Sequence, residues 1–128
     1  VLVADVLGLP FIYVRTGAKE HGLGNQIEGY FEKGQKVVVI EDLISTGGSS
    51  LRAVNALREA GCEVMGMLAI FTYGFSKAED NFRENKCSLF TLSDYNKLLE
   101  QARATAYITE DDIDTLREWR KNPSVWGK

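Results

Sequence analysis

Histidine is almost absent from this chain: His21 is the single one among 128 residues. A metal centre built from several imidazoles within this stretch is thereby nearly excluded. Cysteine is nearly as scarce. Cys62 and Cys87 stand alone without CxxC spacing, so they read as buried reduced thiols of a cytosolic, cytoplasmic protein rather than as zinc ligands or a disulfide framework. Basic charge is not in surplus either. With 15 Lys and Arg against 18 Asp and Glu, the net charge of -3 gives no general attraction to nucleic acid or to an anionic membrane. Any basic site has to be local. No apolar run has the length of a membrane span, and the first residues do not have the pattern of a signal peptide. There is no repeat, low-complexity tract or Pro-rich linker, and residues 1–128 read as a single domain.

What is present is the composition of an ordinary globular protein, 45% hydrophobic and 26% charged, with strand and helix signals in alternation. "FIYVR" (11–15) reads as a strand, "TGAKEHGLGNQ" (16–26) as a mobile glycine-rich loop, and "IEGYF" (27–31) as a short strand before an "EKGQ" turn. "KVVVIE" (36–41) is a continuous β-branched run, the pattern of a strand covered on both faces. A helix follows, with Leu51, Val54 and Leu57 on one face, Ser49 or Ser50 as its N-cap and Gly61 as its stop. "EVMGMLAIFTY" (63–73) and "CSLFTL" (87–92) are further long strands. Ser76 with Glu79 has the capping-box pattern, Ser93 caps a helix carrying Tyr95, Leu98, Leu99 and Ala102, and Thr109 opens a last helix through Ile113, Leu116 and Trp119. The alternation predicts an α/β fold: a mostly parallel sheet flanked by helices, joined by right-handed crossovers. The opening "VLVADVLGLP" resembles the last turns of a helix and its stop, which predicts a chain cut from something longer.

Chemistry concentrates in "VVVIEDLISTGGSSLRAV" (37–54), where an apolar strand runs into two carboxylates and then into a Ser/Thr/Gly loop that opens a helix. Such a loop offers free backbone amides and the positive end of a helix dipole to an anion. Gly47 and Gly48 let the anion approach closely, and Ser45, Thr46 and Ser49 add hydroxyl donors. Alone, the same loop also describes a well-capped strand–helix turn. Lys does not follow the glycines, so it is not a Walker A loop, and GxGxxG is absent. Glu41 and Asp42 would repel an anion, so the pair makes sense beside a ligand that carries phosphate together with sugar hydroxyls or a metal ion.

This stretch resembles the phosphoribosyl-pyrophosphate (PRPP) signature of the type I phosphoribosyltransferases. Upstream, "GLPFIYVRTGAKEHGLGNQIEG" is similar to the orotate phosphoribosyltransferases, whose mobile catalytic loop carries Arg, Lys and His where Arg15, Lys19 and His21 stand here. The resemblance implies a pentosyltransferase: with Mg²⁺, orotate displaces pyrophosphate from PRPP to give orotidine 5'-monophosphate in pyrimidine synthesis. It implies that Ser45, Thr46, Gly47, Gly48 and Ser49 hold the 5'-phosphate and that Glu41 and Asp42 hold the ribose hydroxyls. Lys19, His21, Arg15 and Mg²⁺ would meet the charge developing on pyrophosphate, with no metal ligand assigned to the protein itself. A homodimer is implied as well. The resemblance also implies a missing N-terminal region and little activity of this chain alone. Thr16 stands where many members have a second basic residue, and Thr72 and Tyr73 where many have an orotate-contacting Arg. A phosphoribosyltransferase for a purine base, and a non-catalytic regulator that senses PRPP, are the alternatives. Arg15, Lys19 and His21 at this spacing favour the enzyme over the regulator.

Overall fold

In a computed structural model, residues 1–15 and 26–126 are described. The first element, α1 (Leu2–Leu7), ends as its sequence predicts: Gly8 takes the left-handed conformation, φ 63°, that a residue with a Cβ adopts only at a cost. Two short strands, β1 (Tyr13–Val14) and β2 (Ile27–Glu28), pair antiparallel. The main sheet follows. It consists of β3 (Lys36–Ile44), β4 (Glu63–Thr72) and β5 (Leu89–Asp94), parallel throughout and in the order β3-β4-β5. The crossovers are α2 (Gly48–Glu59) and α3 (Ser76–Glu84), while α4 (Tyr95–Ala104) and α5 (Glu110–Lys121) come after the last strand. The α/β architecture and parallel sheet are those expected from the alternating pattern.

The core lies on one face of the sheet. Ile44, Met67 and Ala69 from the strands meet Leu51 and Val54 of α2 and Ala78 and Phe82 of α3, all buried. Burial along β3 alternates residue by residue up to Glu41, so the described residues cover one face of the strand, where its β-branched run suggests cover on both. Val38, Ile40, Leu68, Ile70, Phe90 and Leu92 line the opposite face and are exposed, Leu92 to 80%. A run of Val and Ile reports that a strand can be buried, but which faces are covered depends on helices placed elsewhere in the chain. Among the described residues, both crossover helices pack on the same side.

Three helix starts differ from expectation. The N-cap of α2 is Gly47 rather than Ser49 or Ser50, because a left-handed Gly47, φ 77°, turns the chain two residues earlier. Ser76 is the first helical residue of α3, with Phe75 at the cap, so no capping box forms. Ser93 is paired in β5 with Phe71, and Asp94 caps α4 by accepting from the Lys97 amide at 3.1 Å. Thr109 does cap α5, with a reciprocal capping box to Asp112, and Gly61 with φ 92° follows the end of α2. No helix among the described residues is long and apolar enough to cross a membrane.

Candidate active site

In a parallel sheet of this kind, the ends of strands where ligands gather are the carboxyl ends. At that end of β3 the chain passes through Ser45 and Thr46, both exposed, and enters α2 through buried Gly47. The amides of the first helical turn have no acceptor within the helix. Two contacts from α3 fix the loop above them. The Asn81 side chain donates to the Thr46 carbonyl at 2.8 Å, and the Phe82 ring packs so closely on Gly47 that a Cβ there would stand 2.5 Å from Cε2. Glycine is therefore required at 47 twice over, by its φ and by the ring. The result is a rigid turn with outward-facing donors, a geometry suited to an anion.

Beside this turn lies a cleft of about 200 Å³. Glu41, Ser49, Arg15, Gln26, Tyr13 and Arg52 contribute to its walls. Residues 15 and 41 are distant in sequence but line the same cleft, and the antiparallel pair holds Arg15 in place: it donates its amide to the Gln26 carbonyl at 2.8 Å and its guanidinium pairs with Glu28 across the two strands. The expected Arg15, Glu41 and Ser49 thus share one cleft. Asp42 does not line it. The neighbouring position in a strand faces the other way, and Asp42 is exposed, with Oδ1 accepting from the Leu43 amide at 2.7 Å. Lys19 and His21, like Thr16, lie outside the described residues.

Arg52 was not singled out from the sequence. It sits in the second turn of α2, and its guanidinium bends back so that a Cβ at Gly48 would be 3.9 Å from Nη1. The signal for it was a basic residue near the start of a helix whose N-terminus is already positive, a placement that favours an anion rather than the helix itself.

Thr72 ends β4 one strand away, and Tyr73 follows it. Thr72 Oγ1 accepts from the Gly74 amide at 3.1 Å. The Tyr73 ring stacks on Phe75 at 5.3 Å and meets Trp119 of α5 edge-on at 5.6 Å. Tyr95, which donates its hydroxyl to the Leu116 carbonyl at 3.1 Å, completes the contact between α4 and α5, and its burial pushes the phenol pKa up.

The family model described as phosphoribosyl transferase domain matches residues 2–102. The chain belongs to that family. Orotate phosphoribosyltransferase from Listeria innocua is 61% identical over 98% of this chain, and the one from Porphyromonas gingivalis 56% identical over 98%. The chain spans about 60% of the length of each. Among solved structures, Leishmania donovani UMP synthase superposes with a TM-score of 0.76 at 28% identity, over 92% of this chain and 25% of that one. A Mycobacterium tuberculosis orotate phosphoribosyltransferase in complex with PRPP has a TM-score of 0.59 at 30% identity, over 70% of this chain and 50% of that one.

Proposed function

We propose that this chain carries the PRPP site of an orotate phosphoribosyltransferase that makes orotidine 5'-monophosphate for pyrimidine synthesis. The observation that carries the reading is the union, at the carboxyl end of β3, of an anion-binding turn with a cleft containing both Glu41 and Arg15. A ligand that joins a phosphate to a polyhydroxylated ring satisfies both halves. The relatives' names supply the base.

In the reaction, a ring nitrogen of orotate forms a bond to the anomeric carbon while the bond from that carbon to pyrophosphate breaks. Pyrophosphate leaves with the electron pair, and the proton of the attacking nitrogen is released to solvent. The Ser45–Ser49 turn holds the 5'-phosphate, and Glu41 accepts from ribose hydroxyls in the cleft, favouring the positive charge that builds on the sugar as in glycoside cleavage; Asp42 would join it by leaving the Leu43 amide and turning toward the sugar. Arg15, with Lys19 and His21, meets the negative charge gathering on the departing group. Among the described residues there is no cluster of three or more acidic, His or Cys side chains able to hold a metal. Mg²⁺ would arrive on the substrate phosphates, a mode that needs at most one or two protein carboxylates, Glu41 being the one in the cleft. Bound there, Mg²⁺ would neutralise charge on the pyrophosphate oxygens. The working form is a cytoplasmic homodimer.

Incubating the full-length protein with PRPP, Mg²⁺ and orotate, uracil or purine bases tests this reading. Orotidine 5'-monophosphate is the expected product. A purine nucleotide would replace the base assignment, and PRPP binding without any turnover would make the protein a sensor.

A further inference from the structure

Arg120, on the last turn of α5, is a half-buried cation that no carboxylate pairs with among the described residues. The nearest fixed partner is the Tyr73 carbonyl, at 3.5 Å from Nη1, the outer limit of a hydrogen bond. The same Nη1 would stand 3.2 Å from a Cβ at Gly74, so the guanidinium lies over the chain where it leaves β4. Tyr73 in turn donates its amide to the Ile44 carbonyl at 3.2 Å, and Ile44 directly precedes the anion-binding turn. Arg120 is therefore at the ligand-binding end of the sheet, one strand over from the phosphate turn.

A guanidinium has five N–H donors in a planar fork, and here the protein occupies one of them weakly. Partial desolvation of such a cation without a counter-charge is unfavourable, and the packing of Trp119 and Tyr95 against Tyr73 holds the end of α5 beside the exit from β4. Something anionic and planar complements it best. Of the anions in the proposed reaction, the 5'-phosphate has the turn and the pyrophosphate has Arg15 with the 16–25 segment. The carboxylate of the base remains.

We infer that Arg120 recognises the carboxylate of the pyrimidine base and so sets the preference for orotate over uncharged bases. This rests on the orotate reading above. The carboxylate would take the fork side by side, with the Tyr73 and Phe75 rings beside the heterocycle.

The test uses the full-length protein with Arg120→Gln and Arg120→Lys, comparing orotate with uracil, which lacks the carboxylate. In Arg120→Gln the orotate KM should rise at least about 10-fold and the orotate-to-uracil ratio of kcat/KM should fall at least about 10-fold, the scale of a lost charge-assisted bond. The KM for PRPP should stay within about twofold, and Arg120→Lys should recover part of the ratio, because a point charge replaces the fork. Helix docking alone would lower the melting temperature and move both bases equally. An unchanged ratio in a folded variant overturns the role of Arg120 while leaving the orotate reading in place. If Arg120→Gln does not fold, an unchanged ratio in Arg120→Lys overturns it equally. Wild-type protein that does not use orotate overturns both.

Discussion

Replacing Gly47 by Ala should be among the most damaging single-methyl additions in this chain, and its two causes can be separated. The first is backbone. At φ 77° an alanine is in the left-handed region, which costs about 1 kcal/mol. The second is overlap. The new Cβ would stand 2.5 Å from Phe82 Cε2 and 3.2 Å from Cδ2, and Phe82 is buried against α2 and the sheet, so the ring has nowhere to swing. Overpacking of that kind costs about 2 kcal/mol, for a total of about 3 kcal/mol. Phe82→Leu removes the ring edge and itself costs about 1 kcal/mol. In that background Gly47→Ala should lose only the backbone part, so a double-mutant cycle by urea unfolding of the full-length protein should return a coupling of about 2 kcal/mol. Ribose 5-phosphate binding should fall with Gly47→Ala, since the turn that aims the amides is displaced. A destabilisation below about 1 kcal/mol, or purely additive variants, would refute the claim that Phe82 sets the position of the turn.

Asp42→Asn in the full-length protein should leave the unfolding transition unchanged while lowering kcat/KM for PRPP by about 30-fold, about 2 kcal/mol; wild-type kinetics would remove Asp42 from the sugar-binding role. The 128-residue chain alone should bind ribose 5-phosphate weakly, because the turn and Glu41 are local, but show no transferase turnover; normal turnover would show that the Ser45–Ser49 turn and its cleft suffice. Asp112 accepts from both the amide and the hydroxyl of Thr109, so its pKa is held below the ordinary 3.8, and the stability it adds is present above that value and is lost as pH falls through the folded pKa. Melting temperatures taken from about pH 5 down to about pH 2 should therefore fall more steeply in wild type than in Asp112→Asn, and parallel curves would deny the capping carboxylate any such part.

Which features were legible in the sequence follows from how far apart their causes lie. Gly8, Gly61 and Thr109 mark helix ends whose geometry is decided within a few residues, and each is where the pattern put it. Ser49, Ser50, Ser76 and Ser93 have the right chemistry for caps but the wrong positions, since the cap is chosen by where the backbone turns. At α2 that is the left-handed Gly47, and at Ser93 it is the strand pairing that carries on through Asp94. The one-sided packing of β3 within this chain was illegible for another reason: Val38 and Ile40 are as apolar as their half-buried neighbours Val37 and Val39, and α2 and α3 both pack on the other side.

The candidate site divides along the same line. Glu41 and the turn after it form one contiguous stretch, so their pairing of carboxylate with anion-binding backbone can be read directly. Arg52 lies three residues beyond Ser49 and joins only because its side chain folds back along α2. Arg120 is 47 residues from the carbonyl it touches. No motif can record that distance, because what places the guanidinium is the packing of Trp119, Tyr95 and Tyr73. If phosphate binding is a property of the local turn and base choice a property of α5, the two should respond to different perturbations. Loosening α5 through Trp119→Leu would then degrade discrimination between bases while leaving the grip on ribose 5-phosphate intact, whereas changes at Gly47 would do the reverse. The site is one place in space, but the chain builds it from parts that can vary independently.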